Sequence, residues 1–347
     1  AGYTPEFKGC EQFQGEVIHP QLWPEQLDCR DKNIVVIGSG ATAVTLVPAL
    51  TEQARHVTML QRSPTYVASL PRVDVLANAL RRVLPELWVY RLVRTRNVAV
   101  QMLFYALSKR FPQFIRKLLL GQAKRQLGAD FDMRHFSPSY NPWDQRLCAV
   151  PDGDLFNVLR DGKASVVTEQ IDCFTADGIR LASGRELPAD IIITATGLDL
   201  LLFGGIEVQV DGQPFDAAQS MGYRGIMLRD LPNLAVVLGY TNASWTLKAD
   251  LSSEYFCRLI NHLDAIGMRQ CTPRNSGEVQ PAPFLDLASG YIERAAAKLP
   301  KQGDRAPWKL HQNYLLDLAL LRFGKIEDGY LVFSAPQAQA GASLLAP

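Results

Sequence analysis

Residues Asn33 to Ala43, Asn-Ile-Val-Val-Ile-Gly-Ser-Gly-Ala-Thr-Ala, constrain the fold of this chain more than any other stretch. The apolar, β-branched run predicts a buried parallel strand, and it empties into Gly-x-Gly-x-x-Ala ahead of a helix expected over Val44 to Ala54. Gly38 permits a tight turn, Gly40 leaves no side chain between the backbone and a bound phosphate, and Ala43 is small enough for the helix to pack on the strand. Together with Ser39, Ala41 and Thr42, these residues offer free amides at the positive end of a helix, which suits a dinucleotide pyrophosphate. Pro48 falls inside that helix, where a proline costs about 3 kcal/mol or kinks the axis. A bent helix is therefore expected.

The next strand is expected over His56 to Gln61. A site for NAD or FAD would carry an Asp or Glu near its end, to accept from the ribose hydroxyls. Here Gln61 is neutral and Arg62 cationic, with Ser63 following. That end is built for the additional phosphate of NADP, and Gln61 and Arg62 join the candidate cofactor residues. These features give an α/β fold with a Rossmann-like NADP domain.

Lys and Arg total 36 against 35 Asp and Glu, a net charge of +1, which argues against a global role in binding nucleic acid or membranes. The six cysteines, at positions 10, 29, 148, 173, 257 and 271, form no C-x-x-C pair and have no histidine spacing suited to zinc. Neither a disulfide framework nor a metal site is predicted, and a reducing, cytoplasmic location follows. The sequence shows no signal peptide, and no apolar run reaches the ~18 residues of a membrane span. It opens at Ala1-Gly2-Tyr3-Thr4-Pro5 with no methionine and no leading strand, so it is expected to be part of a longer polypeptide.

Residues 1–30 are rich in turn residues, aromatics and proline, and are expected to be an irregular connector. Residues 31–194 are expected to form the NADP domain. Within it, Val73 to Leu127 carries apolar residues at spacings of three and four, with Arg and Lys over the polar face and only Asp74 and Glu86 as acids. Such a segment reads as a helical insertion whose apolar face caps a substrate site; it also suits peripheral attachment to an anionic membrane. Val166-Val167, Ile171 to Phe174 and Ile179 to Leu181 read as short hairpin strands leading to Asp190-Ile-Ile-Ile-Thr-Ala195-Thr196-Gly197. Pro232 to Tyr240 reads as a strand, followed by a polar loop Thr241 to Thr246 and a helix over Asp250 to Leu263. Residues 335–347 read as a loose tail.

Phe13-x-Gly15-x-x-x-His19-x-x-x-Trp23-Pro24, placed shortly before a nucleotide-binding strand, resembles the fingerprint of type I Baeyer–Villiger monooxygenases within the flavin-containing monooxygenase superfamily. Gln61-Arg62-Ser63-Pro64-Thr65-Tyr66 and Trp143-Asp144-Gln145-Arg146 are most similar to the mycobacterial thioamide-activating subgroup. The related oxygenases of amines and sulfides usually carry another aromatic at the Trp23 position, so Trp23-Pro24 favours the Baeyer–Villiger branch.

This resemblance implies an enzyme in which NADPH reduces FAD and one atom of O2 is inserted into a ketone to give an ester or lactone, with oxygenation of sulfur by the same chemistry. Arg146 then supplies a fixed positive charge beside the flavin. Gln145 replaces a lysine that contacts the NADP phosphate, which leaves more of that selectivity to Arg62. His19 is expected to act in a hinge. Ala195-Thr196-Gly197 marks the passage of the chain back towards the flavin domain, for which residues 195–334 supply the C-terminal part. Asn242 and Trp245 are candidate pocket residues. No Gly-x-Gly-x-x-Gly for the FAD pyrophosphate occurs in the chain. A non-catalytic NADPH-binding module and an N- or S-oxygenating flavin enzyme remain open beside the Baeyer–Villiger reading.

Overall fold

A computed structural model of the protein describes residues 1–145, 147–275, 279–285 and 289–335. Contacts divide it into two units, one comprising Ala1–Leu201 with a short later segment, the other the remainder from Leu202.

The first unit is organised on five parallel strands: β1 (Glu16–Ile18), β2 (Asn33–Ile37), β3 (His56–Gln61), β6 (Ala164–Thr168) and β10 (Ile191–Thr194), in the order β1-β10-β2-β3-β6. Val166-Val167 therefore belongs to this sheet, beside Met59 and Leu60, and not to a hairpin. In β2 the side chains alternate between two cores. Ile34 and Val36 pack with Ala43, Val44 and Val47 of helix α1 (Ala41–Leu50). Val35 and Ile37 pack on the other side with Phe174, Ile179 and Ile192. That second face is covered by an antiparallel sheet of β7 (Ile171–Thr175), β8 (Gly178–Leu181) and β9 (Glu186–Pro188). Both faces of the parallel sheet are thus buried, which is why its strands read as continuous apolar runs. Helix α1 begins three residues earlier than expected and runs through Pro48 to Leu50, where Thr51 Oγ1 donates to the Pro48 carbonyl at 2.7 Å.

The basic stretch forms three helices, α2 (Val75–Leu80), α3 (Glu86–Arg110) and α4 (Pro112–Leu127). Ile115 and Leu119 of α4 pack with Phe104 and Leu107 of α3 against Tyr66 and Ala68. Those two residues flank the start of β4 (Val67–Leu70), which pairs in parallel with β5 (Cys148–Pro151), and helix α5 (Asp154–Arg160) follows β5.

Two sequence expectations change here. Residues 1–30 are not wholly irregular, because β1 adds to the sheet edge through Glu16↔Ile191 to Ile18↔Ile193. In the second unit Pro232 to Tyr240 forms no strand. The run is apolar because it packs, as Ala235 does against the core of Tyr223, Tyr255 and Trp308, and not because it joins a ladder. The long helix of that unit, α6 (Trp245–Ala265), turns Leu251, Tyr255 and Leu259 into the same core. Its strands pair antiparallel in twos, including Gln270–Pro273 with Leu331–Ser334. The tail beyond residue 335 and Arg146 lie outside the described residues.

Candidate functional site

The turn between β2 and α1 has the features that the glycine pattern predicts. Gly38 has φ +139°, and a Cβ there would stand 2.4 Å from the Ala195 carbonyl oxygen, so the position takes only glycine. Its N–H donates to Leu60 O at 2.8 Å, fixing the turn against the end of β3. Gly40 is the N-cap of α1, no side chain caps the helix, and a Cβ at Gly40 would meet nothing within 4 Å. Ala41 and Thr42 are exposed at the same end while Ala43 is fully buried against β2. An uncapped helix end facing open space presents amide donors and partial positive charge to an anion. The residues present therefore fit a dinucleotide pyrophosphate.

Arg62 borders this turn. Ser39 Oγ donates to Ser63 O at 3.0 Å, which ties the segment just past β3 to the glycine turn. Arg62 is exposed and has no hydrogen bond or ion pair among the described residues. Gln61 takes a different role from the one expected. It is 2% exposed, and its Nε2 donates to His135 O at 2.7 Å and Thr168 Oγ1 at 2.8 Å. Its side chain fastens the end of β3 from inside and is not offered to a ribose. His135 Nδ1 lies 2.7 Å from the same Thr168 hydroxyl, and burial holds this imidazole below the usual histidine range.

The fingerprint residues divide by function. Phe13 is buried edge-to-face on Phe174, with ring centroids 6.3 Å apart. Gly15 is required by close approach, since a Cβ there would lie 2.2 Å from Asp190 O. His19 Nδ1 accepts from Gln21 N at 3.2 Å, so the proton resides on Nε2, which donates to Gly197 O at 3.2 Å. Gly197, at φ +105°, also accepts from Tyr3 N at 3.0 Å. Thr196 Oγ1 donates to Tyr3 O at 2.6 Å, and Ala195 backs onto Gly38. His19 thus clasps the Ala-Thr-Gly passage to the segment that follows β1, immediately beside the nucleotide turn. Trp23 and Pro24 stand exposed.

The loop carrying Gln145 is held by the helical insertion. Lys109 Nζ of α3 donates to Trp143 O at 3.1 Å and Asp144 Oδ1 at 3.2 Å, and Gln113 Nε2 of α4 donates to Asn141 Oδ1 at 3.2 Å. Gln145 is half-buried beside Pro142.

In the second unit Asn242 and Trp245 lie at the start of α6. Asn242 Nδ2 donates to Gln312 O at 2.9 Å. Trp245 opens α6 instead of lying in the preceding loop, is 54% exposed, and covers Gly239 so closely that a Cβ there would be 2.1 Å from its ring. A cavity of about 180 Å³ in this unit is lined by Lys248, Asp317, Leu310, Leu320 and their neighbours. The sequence did carry a signal for Lys248. It lies on the stripe of Leu251, Tyr255 and Leu259, where helical periodicity calls for an apolar residue.

No family model matches the chain. It is 55% identical over 343 residues to the FAD-containing monooxygenase EthA of Mycobacterium tuberculosis, covering 98% of this chain and 70% of that protein. Against the probable FAD-binding monooxygenase AlmA of Acinetobacter baylyi the identity is 51% over 335 residues, covering 96% of this chain and 67% of that protein. Among solved structures, steroid monooxygenase in its oxidized form with NADP superposes with a TM-score of 0.69 at 18% identity, covering 96% of this chain and 73% of that one. That last likeness concerns the fold alone. Sequence identity at this level and coverage establishes that the chain belongs to the FAD-containing monooxygenases.

Proposed function

We propose that the protein acts as an NADPH- and FAD-dependent monooxygenase that inserts one oxygen atom from O2 into ketones, giving esters or lactones, and that oxygenates sulfur in small molecules. The observation that carries this reading is the open, uncapped turn Gly38 to Ala43 with Arg62, unpaired among the described residues, beside it. There the amides of the first turn of α1 would hold the NADP pyrophosphate, and Arg62 the additional phosphate. Bound NADPH supplies a hydride. The chain's own contribution is to orient it, through the Gly38–Leu60 and Ser39–Ser63 bonds that fix the turn and through His19, which fixes Gly197 beside it.

For FAD the sequence holds no Gly-x-Gly-x-x-Gly, so no residue is assigned to its pyrophosphate and no step is derived through it. Arg146 is retained on sequence grounds as the cation that favours oxygen insertion. Trp23-Pro24 supports the ketone branch over amine and sulfide oxygenation.

The test is turnover under 18O2 with the chain supplied with FAD, NADPH and a panel of ketones, sulfides and amines, reading the label in the product by mass spectrometry. Labelled ester supports the reading, and Arg146→Ala should then keep NADPH oxidation while losing the ester. Label only in sulfoxides or N-oxides would replace it with the second flavin chemistry. NADPH binding with no oxygenation of any class would reduce the chain to a nucleotide-binding module.

A further inference from the structure

The helical insertion reaches the segments around the nucleotide turn through Arg116, on α4. The side chain is half-buried, and one terminal nitrogen, Nη1, donates to three oxygens: the Tyr66 hydroxyl at 2.6 Å, the Tyr140 carbonyl at 3.3 Å and the Pro138 carbonyl. The guanidinium also lies 5.9 Å from the centre of the Tyr66 ring. No carboxylate pairs with it among the described residues. Tyr66 is 1% exposed, and its hydroxyl donates in turn to the Tyr140 carbonyl at 2.7 Å. Burial holds this phenol above the usual tyrosine range against the pull of the Arg116 charge, so it keeps the proton it donates. The Thr65 and Tyr140 hydroxyls lie 2.9 Å apart, and the rings of Tyr66 and Tyr140 meet edge-on with centroids 5.5 Å apart.

The two segments joined in this way carry the candidate phosphate contacts. Arg62 precedes Tyr66 in one, and Gln145 follows Tyr140 in the other. The first is held at Ser63 by Ser39 and at Tyr66 by Arg116. The second, from Pro138 to Gln145, contains no helix or strand, so its backbone groups depend on side chains for partners. Gln113, three residues before Arg116 and on the same face of α4, holds it at Asn141. Without the guanidinium, the carbonyls of Pro138 and Tyr140 and the Tyr66 oxygen would be left with a single phenolic proton between them. Buried acceptors that lose a donor cost about 1–3 kcal/mol each, and the loop would open to let water serve them. Arg116 therefore stabilises one spacing between the two segments.

We propose that Arg116 is a positioning residue for NADPH: through Tyr66 and the loop beginning at Pro138 it holds Arg62 where the additional phosphate binds. The insertion then contributes to the choice of cofactor from a distance. The proposal rests on the reading of Arg62 as the phosphate contact, and the experiment separates the two.

The Kd values of NADPH and NADH are measured by nicotinamide fluorescence on the full chain without flavin, and their ratio is the readout. An exposed arginine on a phosphate is worth about tenfold, which bounds what its positioning can carry. Arg116→Met keeps the aliphatic stem and should lower the preference for NADPH about fivefold, leaving NADH binding unchanged. Tyr66→Phe keeps every charge and the ring, removes only the linking hydroxyl, and should lower the preference about threefold. Added to Arg62→Ala, Arg116→Met should cause no further loss, because the two act through one contact. Equal weakening of NADPH and NADH, a preference untouched by Tyr66→Phe, or a further loss in the double variant would each overturn the role. Should Arg116→Met fail to fold, Tyr66→Phe decides alone. A preference lowered by Arg62→Ala but by neither Arg116→Met nor Tyr66→Phe would overturn only the positioning; a preference that survives Arg62→Ala would overturn the phosphate reading and the positioning with it.

Discussion

Replacing Arg62 with alanine tests the cofactor assignment where the structure makes it most specific. The guanidinium follows directly on the buried Gln61, borders the turn through the Ser39–Ser63 bond, and has no carboxylate among the described residues to neutralise it. Hydrogen bonds to a charged partner are worth about 1.5–3 kcal/mol, or roughly 10- to 150-fold in Kd. Arg62 is exposed and screened by salt, so the lower end applies, about tenfold at physiological ionic strength. NADH lacks the phosphate and should bind the variant as it binds the wild type. Titration of nicotinamide fluorescence at two salt concentrations reads both effects, because the wild-type affinity for NADPH should fall with salt more steeply than that of the variant. Arg62→Lys should be intermediate, keeping the charge without the planar fork. An equal loss for NADPH and NADH, or no loss for either, would refute the role of Arg62 and leave the glycine turn as a site without phosphate selectivity.

Gly15→Ala would place a Cβ 2.2 Å from a backbone oxygen at the sheet edge; a loss of about 1–3 kcal/mol is expected in urea unfolding, and an unchanged midpoint would show that β1 shifts freely. His135 is depressed below its unfolded value by burial, so its protonation favours the unfolded chain. Stability should be insensitive to it above the unfolded value near ~6.5 and fall as pH drops through that value towards the lower folded one. The fall should be smaller in His135→Gln, and parallel curves from pH 7.5 to 5 would exclude this contribution. In α2 to α4 the two acids are both paired, Asp74 with Arg96 and Glu86 with Arg81, while Leu87, Trp88, Tyr90 and Leu92 stand exposed among the arginines. Peripheral membrane contact through these helices predicts co-flotation with phosphatidylglycerol vesicles that is lost with neutral phosphatidylcholine and with Trp88→Ser/Leu92→Ser; equal flotation on both lipids would remove it. No helix among the described residues is long and apolar enough to cross a membrane.

The parts of the fold that were legible in the sequence are those whose chemistry is local. Gly38, Gly40 and Ala43 have their roles within one turn, and the helices of the insertion carry their period for many residues. Gln61 shows where local reading fails. Its strand ends in three buried residues, because the sheet is covered on both faces. Alternation then says nothing about which way the last side chain points, and a polar residue at the strand end resembles a ligand contact when it is an internal tie. The three residues of β1 were invisible for another reason. Their partner, β10, lies about 175 residues away in sequence, and three positions are too few to show a period.

The fingerprint shows how these two kinds of information combine. Phe13 and Gly15 serve packing, since one fills the core under Phe174 and the other lets β1 approach Asp190. That packing determines where the chain leaves β1, and His19 follows it directly. The imidazole is then held by an acceptor bond at Nδ1, with its remaining proton directed to the Gly197 carbonyl. Gly197 belongs to the turn whose Ala195 oxygen bars any side chain at Gly38. A chain of direct contacts thus runs from the fingerprint through His19, Gly197 and Ala195 to the nucleotide turn, all within the first unit. A residue outside the nucleotide turn can in this way fix the position of the amides that would bind a phosphate, without having to transfer a proton.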